Sequence, residues 1–157
     1  MSKPKAPRWL TEAFADGVDE RAEYEASPMK HRRIGGVPAC WLAQHDPARR
    51  PCSGKLERFH FIPRQRVEHA LGAMLLWATF DNPDDAVDDD SLARELVLLA
   101  SWDPRNGGIA CEHHHRRFDG HATPALRIAW DYLPDHVDEF AMDWGLTDQL
   151  ERRFPQL

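Results

Sequence analysis

The sequence predicts an α+β fold: amphipathic helices around a centre of short strands. Two observations carry this. Apolar residues recur at helical spacing along both ends and the middle of the chain. Between 37 and 63, prolines at 38, 47, 51 and 63 exclude any long helix and leave room for strands and turns. At 157 residues, 42% apolar and 29% charged, the chain can build one core and is neither collagen-like nor wholly disordered.

The elements follow in order. Leu10, Phe14 and Val18 sit four residues apart and predict a helix over 9–26, with Thr11 and Asp16 as candidate breaks. Ser27-Pro28 and Gly35-Gly36 mark a basic loop. Val67, Leu71, Met74, Leu75 and Ala78 line one face of a helix over 64–80. The acidic run 81–90 reads as a loop, and Ser91 as the cap of a helix with the face Leu92, Leu96 and Leu99. Asp103-Pro104 and Gly107-Gly108 signal turns, and another helix starts near Cys111. Leu126, Ile128 and Trp130 alternate, as in a strand or extended segment. Stretches 135–144 and 147–154, separated by Gly145, read as two closing helices.

Charge is uneven. The net charge is −6, yet residues 28–80 hold nine Lys/Arg against three acids. That segment is +6 and the remainder −12, six of those negatives lying in 81–90. A local basic balance of this kind suits a polyanion, although solvated surface charge accounts for it equally. No apolar run approaches the roughly 20 residues of a membrane span, and MSKPKAPRW carries no apolar signal core. A cytoplasmic location without membrane contact is expected.

The three cysteines are too few for a disulfide scaffold. Cys111 is followed three residues later by His114, on one turn of a helix. With Cys40 and Cys52 they make four ligands of the kind a tetrahedral structural Zn²⁺ takes, and no cysteine is left over.

Two stretches, LERFHFIPRQ at 56–65 and DPRNGGIACEHHHRRFDGH at 103–121, together resemble the HNH endonucleases, the ββα-metal or His-Me finger family, in its zinc-clamped form. His60-Phe61-Ile62-Pro63 resembles the family's strand ending in a histidine. Asn106 resembles its loop asparagine. Cys111-x-x-His114-His115 resembles its Cys-x-x-Cys-His, and Cys40 with the Cys52-x-Gly-x-Leu56 run resembles the first half of its zinc clamp. The likeness covers about 37–121, with 64–101 as a helical insertion. It leaves 1–36 as an N-terminal helix and basic loop, and 122–157 as a C-terminal strand and helices packing on the core.

The resemblance implies a ββα-metal core stapled by structural zinc, and metal-dependent hydrolysis of DNA phosphodiester bonds. It implies His60 as general base, since imidazole titrates near neutrality. It implies His115 and Asp119, spaced i, i+4 on one helix face, as ligands of a catalytic Mg²⁺, Mn²⁺ or Ni²⁺. Asn106 would orient the loop and His60 or contribute to the ion. Arg58, Arg64, Arg105 and Arg116, with Arg117, would contact phosphates. Phe59 departs from the pattern: many family members place an aspartate or histidine ligand before the base. The substitution removes one ligand and opens an alternative, a non-catalytic nucleic-acid-binding or protein-interaction module on a degenerate HNH zinc scaffold. A third reading, a zinc-stabilised interaction protein that never meets DNA, draws on the net acidity. His113, His121, His31, His45, His69 and His136 read as surface residues.

Overall fold

The computed structural model describes residues 6–26, 33–34, 37–38, 40–81, 90–121 and 125–155. The fold is mixed α+β. Helix α1 (Arg8–Ala26) precedes a minimal antiparallel pair, β1 (Arg33–Ile34) with β2 (Val37–Pro38). A single turn, α2 (Trp41–Gln44), leads to β3 (Leu56–His60), followed by α3 (Arg64–Asp81) and α4 (Asp90–Ser101). A 3₁₀ turn at Pro104–Asn106 opens β4 (Gly107–Cys111), and α5 (Glu112–Phe118) follows directly. A 3₁₀ turn at Trp130–Tyr132, α6 (Asp135–Trp144) and α7 (Thr147–Arg153) close the chain.

β3 pairs antiparallel with β4, Leu56 opposite Cys111 and His60 opposite Gly107. The two-residue period of a strand sorts β3 into two faces. Arg58 and His60 face α1, meeting Asp19 and Phe14. Glu57 and Phe59 face α5, meeting His115 and Phe118. On β4, a Cβ at Gly107 would lie 2.8 Å from the Phe14 ring, and one at Gly108 would lie 2.6 Å from the Phe59 ring. Only glycine lets α1 and Phe59 approach this backbone so closely.

The core runs from Cys40, Leu42, Phe59, Phe61 and Ile62 through Ala110 and Phe118 to Val137, Phe140, Leu150 and Phe154. Leu10, Phe14 and Val18 of α1 are buried but lie outside that contiguous cluster, over β4 and the Pro104–Asn106 turn.

Several expectations change. α1 runs unbroken through Thr11 and Asp16, and α4 begins at Asp90, so Ser91 lies inside the helix and is not its cap. Leu99 is exposed, and Ala100 with Ser101 turns inward instead. Residues 125–129 alternate, with Leu126 and Ile128 buried, but form no ladder among the described residues. Extended backbone needs a neighbouring strand edge to form a ladder, and here the segment meets a helix end instead, the Leu126 N–H donating to the Arg117 carbonyl at 3.0 Å. Gly145 closes α6 in the left-handed conformation, φ 69°. The acidic run's 82–89 and His31 lie outside the described residues. Among the described residues, no helix is long and apolar enough to cross a membrane.

Candidate functional site: a metal centre and a histidine cluster

Two short helices begin on cysteines. Cys40 Sγ accepts from the Ala43 N–H at 3.3 Å at the start of α2, and Cys111 Sγ accepts from the His114 N–H at 3.4 Å at the start of α5. A sulfur at such a cap takes an otherwise unpaired helix N–H, and that N–H favours the thiolate. The β3–β4 pairing and these caps bring Cys40, Cys52, Cys111 and His114 together, with one ligand atom from each within 4.8 Å of the others. His114 Nδ1 lies 3.0 Å from Cys111 Sγ and 3.8 Å from Cys52 Sγ. A zinc ion with Zn–S of about 2.3 Å and Zn–N of about 2.0 Å spaces its ligands roughly 3.5–3.8 Å apart. The donor set fits zinc, and the ligand atoms are gathered around that spacing, from 3.0 Å for the Cys111–His114 pair to no more than 4.8 Å. Cys40, Cys111 and His114 are fully buried; Cys52 is exposed at the rim. Burial pushes the Cys40 thiol up to about 12. A bound dication favours the opposite, thiolate form, so this desolvated pocket is costly for thiolates without a cation and suited to them with one.

Asp46, which has no signal in the sequence beyond an acid beside a histidine, belongs to this centre. It is 4% exposed, with Oδ2 3.3 Å from His114 Nε2, a charge contact and not a well-aligned hydrogen bond. Burial pushes its carboxyl up, but the Ala48 and Arg50 N–H groups and the Arg50 guanidinium outweigh this and hold it below its ordinary value. Burial likewise lowers His114, opposed by Asp46.

On the other flank of α5, His115 bridges two carboxylates. Its Nδ1 lies 2.5 Å from Glu57 Oε1 and its Nε2 2.9 Å from Asp119 Oδ2. The Asp119 bond raises His115 above its ordinary value, against burial and with help from Glu57. Burial pushes Asp119 up, but His115 and Arg153 hold it down. Arg153 bonds Asp119 Oδ1 at 2.8 Å and the Phe61 carbonyl at 2.9 Å, with its guanidinium 3.8 Å from the Phe118 ring centroid. Glu57 and Arg153 were invisible as site residues. β-strand alternation places Glu57, and a helix far along the chain supplies Arg153.

No family model, no curated protein and no solved structure matches the chain.

The remaining candidates have definite places. Asn106 is fully buried and clamps the turn after β3: its Oδ1 accepts from the Ile62 N–H at 2.9 Å, its Nδ2 donates to the Ile62 carbonyl at 2.8 Å, and its own carbonyl accepts from the Phe61 N–H at 2.8 Å. Both ends of its side-chain amide bond Ile62 and hold the loop. His60 stacks flat on Phe14, centroids 4.6 Å apart and planes 6° apart, with Trp102 edge-on at 5.5 Å. Its Nε2 is buried without a hydrogen-bond partner among the described residues. Burial, reinforced by Arg64, pushes His60 down to about 4. Phe59 is fully buried among Phe61, Phe118 and Trp41.

Of the proposed phosphate contacts, Arg58 is paired with Asp19 at 2.6 Å, and Arg105 with Asp103 at 2.9 Å and Asp143 at 2.5 Å. Arg64 lies over Trp102 at 4.5 Å, and Arg116 is exposed on α5. His69 and His121 are exposed. His45 and His136 are not simple surface residues: His45 sits between Trp41 and Tyr132, and His136 packs edge-on to Phe61. His113 is half-buried and accepts from Arg117 Nε at 3.2 Å.

Proposed function

We propose that the chain is a non-catalytic nucleic-acid-binding module on a degenerate HNH scaffold, with Cys40, Cys52, Cys111 and His114 holding one structural zinc. The order strand, asparagine turn, strand, helix supports the HNH-like scaffold, with 64–101 as its helical insertion. The observation that carries the loss of catalysis is His60. A general base must reach a water, and the His60 Nε2 is sealed under Phe14 and Trp102. Phe59 supplies apolar packing where a ligand would stand, and His115 is drawn toward its cationic form by Asp119 and Glu57. Nucleic acid is the partner of choice because residues 28–80 carry a net +6, and Arg64 and Arg116 remain without a carboxylate partner among the described residues.

The test pairs two assays on purified, zinc-loaded protein. Supercoiled plasmid with Mg²⁺, Mn²⁺ or Ni²⁺ is expected to stay intact. Fluorescence anisotropy with a labelled duplex is expected to show binding that weakens steeply with salt. Binding that ignores salt, or is absent at low salt, would sink the nucleic-acid assignment and favour a protein partner.

One observation favours the endonuclease reading. His115 Nε2 and Asp119 Oδ2, 2.9 Å apart, are spaced as two ligands on one octahedral ion. In that reading His115 and Asp119 would hold a divalent ion supplying Lewis-acid stabilisation to a phosphate, and His60 would take the proton of the attacking water. Plasmid cleavage by the parent that disappears in His60→Ala would establish it.

A further inference from the structure

We infer that Asp46 is the positioning residue of the Cys3His centre: its buried carboxylate, facing His114 Nε2, fixes Nδ1 as the nitrogen turned to the three thiols. This rests on the reading of that cluster as a zinc site.

The argument begins with the two nitrogens of one ring. Nδ1 of His114 lies among the sulfurs, 3.0 Å from Cys111 and 3.8 Å from Cys52. A neutral imidazole that gives its Nδ1 lone pair to a metal carries its proton on Nε2. His114 is 0% exposed, so bulk water does not accept that proton. Asp46 Oδ2 is the carboxylate oxygen facing it, 3.3 Å away and short of hydrogen-bond alignment, with the Arg50 backbone also beside the ring. A carboxylate behind a ligating histidine fixes its tautomer and raises its basicity.

Asp46 is itself held from every side. Oδ1 accepts from the Ala48 N–H at 3.0 Å and the Arg50 guanidinium at 2.9 Å, and Oδ2 accepts from the Arg50 N–H at 3.1 Å. Three thiolates and one dication sum to −1, and Arg50 cancels the charge that Asp46 adds, so the buried acid leaves that sum unchanged. To wrap the chain around this carboxylate, Arg49 takes a left-handed φ of 52°, unfavourable for a residue with a Cβ. A short loop accepts that strain to place one buried acid 3.3 Å behind a histidine.

The rival account is that Asp46 merely closes its own loop. Three measurements separate the two. In zinc-loaded parent, ¹⁵N-correlated NMR of the His114 ring is expected to show the Nε2–H tautomer with a slowly exchanging proton. Nε2 bound to metal would overturn the inference without any mutation. Asp46→Asn keeps an oxygen acceptor for the loop but places amide hydrogens within reach of His114. It is expected to lose zinc to a chelator with about 10–100-fold lower affinity, and to shift the visible bands of the Co²⁺-substituted protein. Equal retention and an unchanged spectrum would overturn the role of Asp46. Arg49→Gly relieves the loop without touching the carboxylate. If adding it to Asp46→Asn restores zinc affinity, loop closure explains the loss and the inference fails; continued loss supports it. A parent that takes up no zinc removes the metal-site reading itself, a result distinct from all of these.

Discussion

His114 and His115 are neighbours on α5 and share a chemistry, yet the fold gives them opposite surroundings. His114 turns to the three thiols and is fully buried, with one carboxylate behind it. His115 turns to Glu57 and Asp119 on a half-exposed flank. One side offers soft ligands with an imidazole nitrogen turned toward them, the other an imidazole whose two nitrogens already meet carboxylates. The difference teaches that a run of histidines is not one site. On a helix, consecutive residues point about 100° apart, and what each meets belongs to different segments.

The largest effect should come from breaking the buried side. Cys111→Ser keeps a cap for α5 but removes one thiolate, and a structural zinc site of this kind contributes roughly 10–16 kcal/mol of binding energy to folding. The variant is expected to lose its cooperative thermal transition by circular dichroism. Elemental analysis should find about one zinc per chain in the parent, as a closed four-ligand site demands, and far less in the variant.

Phe59 tests whether the strand between the two sides is packing or chemistry. Phe59→Ala opens a cavity at a fully buried position, and losses of about 3–5 kcal/mol are usual for this change. Phe59→Asp buries a carboxylate at the same apolar place and is expected to be worse. Urea denaturation of the zinc-loaded proteins measures both. An aspartate variant as stable as the parent would move Phe59 from the core to the site.

Asn106 comes next. Asn106→Ala strands the N–H and carbonyl of Ile62, each costing about 1–3 kcal/mol when buried without a partner. Asn106→Asp keeps one acceptor but buries a carboxylate facing the Ile62 carbonyl, so at neutral pH it should be at least as destabilising as alanine in the same denaturation series.

A smaller effect is pH-dependent. Burial, with the charge of Arg21, pushes His136 from its ordinary 6.5 down to about 4. Between these values the unfolded chain binds the extra proton and the folded one does not. The contribution is therefore present above 6.5 and lost as pH falls toward 4. His136→Gln, compared with the parent at pH 7.5 and 5.0, should flatten that loss. An equally steep decline in both would assign it elsewhere.

The smallest effect belongs to the exposed pair Arg58–Asp19, both about half exposed. Arg58→Ala should cost under about 1 kcal/mol. It should also weaken nucleic-acid binding less than Arg116→Ala does, since Asp19 already answers its charge.

Most of the helices and the ligand inventory were legible along the chain. Apolar spacing marks α1 and α3, and Gly145 marks the break between α6 and α7, because these signals are local. The four zinc-type ligands were legible because a Cys-x-x-His turn and two further thiols leave few other uses for three cysteines. The rest depends on contacts between distant segments. Phe14 lies 46 residues from His60 and covers it; Arg153 lies 34 residues from Asp119 and occupies one of its oxygens. Asp46 reads as any surface acid until the fold buries it behind His114. Residue type states what a side chain can do, but burial and the partner opposite decide its protonation and its access, and both come from segments that meet only when the chain has folded.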